Sequence, residues 1–156
     1  MVPAWDTHTQ CLVALKRQPA ESDDAVREMV FFDSLRGAVE PTNVLRMYAS
    51  FVHDKTLTLA FEYMRSTVAD EWERAQGRLF PVICQRYCAQ LFNGMKTLHA
   101  RKIAHLDISL KNCLVDPVDN TLKICDLGLE HKYDNRRHRS RQQLSLIHIS
   151  EPTRPY

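Results

Sequence analysis

His105-Leu106-Asp107-Ile108-Ser109-Leu110-Lys111-Asn112 is the stretch on which the reading of the fold turns. The spacing His-x-Asp-x-x-x-x-Asn puts a carboxylate and a side-chain amide on one tight loop, where both can face the same metal-bound phosphate. Working outward, Leu122 to Cys125 reads as a short strand that delivers Asp126-Leu127-Gly128, and a glycine beside an acid lets the backbone turn. Upstream, Val13-Ala14-Leu15-Lys16 closes a strand-like run on a lysine, and Glu28 lies on the helix expected next. Alone, either residue reads as a solvated surface charge. The order of the four features carries more than any one of them.

The rest of the chain supplies a frame. Gln10 to Lys16 is rich in apolar and branched residues and reads as a strand, with Asp6-Thr7-His8-Thr9 as the hairpin turn before it. Ser22-Asp23-Asp24 offers an N-cap and an acidic first turn to a helix with an apolar face of Val26, Met29, Val30, Phe31 and Phe32, which Gly37 can end. Val44 to Val52 and Thr56 to Tyr63 read as two strands joined by His53-Asp54-Lys55. Beyond them, Val68 to Arg74 suggests a short helix. Pro81 suits the start of a longer one, carrying Val82, Ile83, Tyr87, Leu91, Met95 and Leu98 at helical spacing. Gly94 inside that helix points to close packing rather than a break. Ile103 to Val115 reads as irregular with short strand-like pieces, and Asp116 to Asn120 as a turn. No internal repeat is visible.

Bulk properties narrow the class. At 156 residues and 44% hydrophobic content the chain fits about one globular domain. Lys+Arg 21 against Asp+Glu 19 is too balanced to argue for nucleic acid or a membrane surface. Arg136, Arg137, Arg139 and Arg141 cluster late and read as a solvated loop, with an acidic peptide or phosphate partner as the sharper alternative. Cys11, Cys84, Cys88, Cys113 and Cys125 include no Cys-x-x-Cys pair and read as buried free thiols of a reducing compartment. With no signal-peptide pattern and no membrane-length apolar run, the expectation is cytosol or nucleus.

Taken together, the motifs resemble those of the eukaryotic protein kinases. Val13-Ala14-Leu15-Lys16 is similar to the strand that carries the phosphate-binding lysine, and Arg27-Glu28-Met29 to the helix that supplies its ion-pair partner. Leu59-Ala60-Phe61-Glu62-Tyr63-Met64 resembles the strand running into the hinge. The resemblance implies a partial bilobal α+β kinase fold and MgATP-dependent phosphorylation of protein hydroxyls. Phe61 would be the gatekeeper, the backbone of Glu62 and Met64 would face the adenine, and Ala14 and Leu114 would join them in binding the nucleotide. Lys16, held by Glu28, would bind the inner phosphates. Asn112 and Asp126 would hold Mg²⁺, Asp107 would orient the acceptor hydroxyl and take its proton, and Lys111 would reach the transferred phosphate. Met47, Phe32, Leu127 and His105 match the family's apolar stack between lobes.

Departures from the family pattern qualify this. Leu106 stands where many kinases have an arginine that pairs with a loop phosphate, which puts that mode of switching in doubt. Ser109 stands where Ser/Thr kinases carry lysine, and Lys111 resembles the cation of tyrosine kinases; the strand and hinge motifs lean to Ser/Thr. Leu127 replaces the commoner phenylalanine. No glycine precedes Gly37, so a glycine-rich phosphate loop is not among these residues. The expected division is residues 1–64 as small lobe through the hinge and 65–143 as upper large lobe with the start of the activation segment. The stretch 144–156 resembles a translated sequencing adapter. Such a piece would be inactive alone. A pseudokinase scaffold and a small-molecule phosphotransferase are the rival readings.

Overall fold

A computed structural model describes residues 1–35 and 43–127, with the backbone of 131–132. Its first layer is an antiparallel sheet in the order β1-β2-β4-β3, built from β1 (Val2–Asp6), β2 (Cys11–Pro19), β3 (Met47–His53) and β4 (Thr56–Glu62). The hairpin between β1 and β2 turns one residue later than expected: Asp6 ends β1 paired with Cys11, and its Oδ1 accepts from the His8 amide at 2.9 Å. Gln10, expected in the strand, instead takes a left-handed φ of 55° and belongs to the turn. β4 is central and almost wholly buried; Leu57 and Leu59 line the core with Phe61.

α1 (Asp23–Ser34) connects β2 to β3 and is capped by Ser22, whose side chain accepts from the Ala25 amide. Its buried face is Ala25, Glu28, Phe31 and Phe32, while Val26 and Val30 are exposed, so the face differs from the one drawn from hydrophobicity alone. The helix ends at Ser34; Gly37 lies outside the described residues. Phe32 meets Phe61 edge-on with ring centroids 4.9 Å apart, tying helix to sheet.

The second part is helical with small sheets. β5 (Ser66–Thr67) leads into α2 (Val68–Arg74), which starts with a reciprocal capping box between Thr67 and Asp70. α3 (Pro81–Ala100) has Pro81 in its first turn, as expected. Tyr87, Gly94 and Leu98 are its buried residues, whereas Val82, expected inside, is 67% exposed. β7 (Cys113–Asp116) and β8 (Thr121–Ile124) form a hairpin beside β5, and β6 (Ile103–Ala104) pairs with β9 (His131–Lys132).

What joins the parts is Asn43, which sequence reading passed over. Val44 was expected in a strand with β3; instead it makes a lone parallel bridge with Ile124. The Leu45 amide donates to the Ile124 carbonyl and the Ile124 amide to the Asn43 carbonyl, at 2.8 and 2.9 Å. The nearly buried Asn43 side chain donates to the Leu122 carbonyl at 2.7 Å and accepts from Asn93 of α3 at 2.8 Å. Gly94 explains how α3 comes so close: a Cβ there would lie 2.5 Å from the Asn43 carbonyl oxygen and 2.7 Å from Ile124 Cδ1. One apolar core therefore runs through the first sheet, α1, α3 and β8.

Candidate active site

Lys16 sits in the middle of β2 and projects towards α1. Its ammonium lies 2.7 Å from both oxygens of Glu28. Glu28 is only 2% exposed, so it is not the surface carboxylate its sequence position suggests in isolation. A carboxylate this buried needs donors, and it has a second one: Gln18 Nε2, 3.1 Å from Oε2. On its other side Lys16 reaches Asp126, with Nζ 3.5 Å from Oδ1. One cation thus bridges a buried acid on the helix and a half-exposed acid at the end of β8.

The loop between β6 and β7 holds the second group. Asn112 Nδ2 donates to the Asp107 carbonyl at 2.9 Å and to Asp107 Oδ2 at 2.8 Å. This spends the amide nitrogen of Asn112 and leaves its oxygen as the acceptor offered elsewhere. The Cys125 amide donates to the Asn112 carbonyl at 2.9 Å, so Asp126 follows directly from a residue bonded to the loop. Asp126 itself has a φ of 59° and Leu106 a φ of 64°, two left-handed turns that aim neighbouring side chains. Lys111 is exposed on the same loop, and no hydrogen bond or ion pair among the described residues brings it to Asp107.

His105 is the pin beneath this loop. It is 4% exposed, its Nε2 lies 2.9 Å from the Cys125 carbonyl, and its Nδ1 accepts from the Asp107 amide at 3.3 Å. That pattern assigns the neutral tautomer with the proton on Nε2. Burial, opposed by the Cys125 hydrogen bond and the nearby acids, holds its pKa below the ordinary histidine value. Of the four residues expected to stack, Phe32, Met47 and Leu127 belong to one core cluster and His105 is buried as well; Leu127 fills its place as an apolar residue at 0% exposure.

Between the two parts, Phe61 is fully buried and Ala14 nearly so, while Met64 and Leu114 pack partly buried against the same core. The Glu62 amide is committed to the Arg46 carbonyl at 2.9 Å. The Glu62 side chain has a use the sequence did not announce. It accepts from the Arg46 amide at 2.7 Å, and both its oxygens lie 2.8 Å from Lys123 of β8.

The donor chemistry fits a nucleotide-bound magnesium better than a metal held by protein alone. No cluster of three or more His, Cys, Asp or Glu side chains suited to a metal occurs among the described residues. One carboxylate and one amide oxygen, Asp126 and Asn112, suit an ion that keeps phosphates and waters as its other ligands. The thiols are unpaired, but the expectation that they are buried holds only for Cys113 and Cys125. Cys11 and Cys88 are exposed and Cys84 is intermediate. The basic run at Arg136, Arg137, Arg139 and Arg141 and the stretch 144–156 lie outside the described residues.

Known proteins agree with this geometry. The chain is 33% identical over 118 residues to cyclin-dependent kinase 20 of Rattus norvegicus and of Mus musculus, matching 75% of this chain and 33% of each relative. It thus spans about a third of the length of these curated relatives. Among solved structures, a chain of the yeast RNA Pol II CTD kinase CTDK-1 complex superposes with a TM-score of 0.72 at 30% identity, covering 86% of this chain and 44% of that one. The family model of the protein kinase domain matches residues 2–150. With Lys16, Glu28 and Asp126 in one bridged group and Asp107 and Asn112 bonded on one loop, the chain belongs to the protein kinase domain family, and its fold is a partial bilobal kinase fold.

Proposed function

We propose that this chain forms the nucleotide-binding part of an ATP-dependent kinase acting on Ser or Thr hydroxyls of proteins. Residues 1–64 serve as the small lobe and 65–143 as the upper large lobe. The observation that carries the proposal is the bridging Lys16, 2.7 Å from Glu28 and 3.5 Å from Asp126. Phosphoryl transfer asks a protein for alignment and charge neutralisation more than for covalent chemistry. Glu28 holds the Lys16 ammonium where the inner phosphates of ATP arrive. The carbonyl of Glu62 and the backbone of Met64 face the adenine, between Ala14 and Leu114. Asn112 and Asp126 would hold Mg²⁺, which would supply positive charge against the phosphate oxygens. Asp107, fixed by the Asn112 amide, orients the acceptor hydroxyl and receives its proton. Lys111, exposed at the loop, is left to meet the transferred phosphate.

The test is Asp126→Asn in the intact kinase that carries this sequence. It removes a charged metal ligand and weakens the hold on Lys16, so turnover should fall by more than about a hundredfold. Unchanged turnover would remove Asp126 from the role. A second reading, a binding module that keeps the fold without turnover, draws on Leu106, which is 55% exposed where the family commonly places arginine, and on Ser109. Absence of ATP turnover in the wild-type intact protein, with nucleotide binding retained, would favour it.

A further inference from the structure

We infer that Gln18 is a positioning residue for the lysine–glutamate pair: it holds α1 inward through Glu28, independently of Lys16. The inference rests on the kinase reading for its functional meaning, but the geometry stands by itself. Gln18 lies two residues beyond Lys16 on β2, and alternation along a strand puts both side chains on the same face. Both project at α1, and both end on one carboxylate. Lys16 Nζ contacts both Glu28 oxygens at 2.7 Å, and Gln18 Nε2 contacts Oε2 at 3.1 Å. Because the partner is a carboxylate, the amide of Gln18 must present its nitrogen there.

The consequence follows from what Lys16 has to do. Its ammonium is already shared with Asp126 at 3.5 Å, and phosphates entering beside it would draw it further from Glu28. A carboxylate at 2% exposure cannot turn to water for compensation. Gln18 is a neutral donor with no competing charge in the phosphate region. It keeps one oxygen of Glu28 satisfied while the lysine is occupied, so α1 need not swing out when nucleotide binds. A hydrogen bond to a charged group is strong enough to matter for how a helix is held.

Two substitutions in the intact kinase test this. Gln18→Leu keeps bulk and removes the donor. Amide hydrogen exchange over Asp23–Ser34, read without nucleotide, should quicken roughly fivefold to tenfold. Where the wild type turns over ATP, the variant's KM for ATP should rise while its pH profile keeps the wild-type shape. Gln18→Glu places a second carboxylate against Glu28 and should loosen α1 further. Its defect should lessen as pH falls and one acid of the pair takes up a proton, which a purely structural role would not produce. Should the Glu variant fail to fold, the Leu variant carries the test. Exchange over α1 at the wild-type rate in Gln18→Leu would overturn the inference. A wild type that turns over no ATP would instead count against the kinase reading, with the exchange result on α1 still deciding the role of Gln18.

Discussion

Lys123, on the strand that leads to Asp126, lies 2.8 Å from both carboxylate oxygens of Glu62, at the end of the strand that runs into the hinge. The two side chains are 12% and 16% exposed, so this ion pair is largely withdrawn from water. It ties the strand that runs into the hinge to the strand that leads to Asp126. Glu62 is also the acceptor for the Arg46 amide, which makes its position doubly determined.

Breaking that link from the lysine side should be costly. Lys123→Met leaves Glu62 withdrawn from water with only the Arg46 amide as partner. Removing one member of a buried pair is destabilising, and with the small residual exposure here the loss should be about 2–4 kcal/mol. Denaturant unfolding of the intact kinase measures it. The double variant Glu62→Gln with Lys123→Met, which removes both charges and keeps an acceptor for Arg46, should recover more than half. A single-variant loss under about 0.5 kcal/mol would mean the pair is solvated and carries no link.

Gly94 gives a prediction of opposite sign to helix propensity. Alanine in place of glycine within an exposed helix stabilises by roughly 1 kcal/mol. Here the added methyl would stand 2.5 Å from the Asn43 carbonyl oxygen, a backbone atom that is itself bonded to the Ile124 amide. Gly94→Ala should therefore destabilise by about 1–3 kcal/mol, as overpacking does. A thermal melt showing a gain would mean that α3 shifts away from Asn43 freely.

Local signals were readable and distant partnerships were not. The cap at Ser22 and the start of α3 at Pro81 rest on chemistry within a few residues and stand where the sequence placed them, and the hairpin turn is displaced by a single residue. The Lys16–Glu28 pair was readable through the order of motifs. Burial of Glu28 was not, because hydrophobic spacing turns Val26 and Val30 inward, whereas in the fold the acid shares the buried face with Ala25, Phe31 and Phe32. Lys123 and Glu62 are 61 residues apart and Asn43 and Leu122 are 79 apart, and neither pair leaves a local trace. A lone asparagine before an apolar run gives no warning that it will bind β8 and α3 together.

The five cysteines should sort by reactivity. The thiolate is the reacting form, and burial pushes Cys113 up to about 11 and Cys125 up to about 12, the latter helped by Asp126 beside it. At about pH 8 a disulfide reagent should label the exposed Cys11 and Cys88 first, Cys84 more slowly, and Cys113 and Cys125 only after unfolding. Peptide mapping of the modified protein reads the order. Early labelling of Cys125 would mean that the segment before Asp126 opens readily and that the His105 and Asn112 contacts do not hold it.

His105 should make stability depend on pH on the acid side. In the fold it is neutral, donating from Nε2 to the Cys125 carbonyl and accepting the Asp107 amide at Nδ1. A proton on Nδ1 would point at that amide hydrogen, and burial disfavours the charge, so the folded pKa lies below the ordinary value of 6.5. The unfolded chain therefore binds the extra proton first as pH falls. Stability from this group is complete above the unfolded pKa and is lost as pH drops through 6.5 towards the depressed folded value. Comparison of urea midpoints at about pH 7.5 and about pH 5.5 should show a steeper fall for the wild type than for His105→Phe. The variant starts lower at both pH values, because the Cys125 carbonyl and the Asp107 amide lose their partner, but its acid-side slope lacks this contribution. Parallel falls in the two proteins would show that His105 takes up its proton as readily in the fold as in the unfolded chain, and that the pin beneath the Asp107 loop does not depend on the neutral ring.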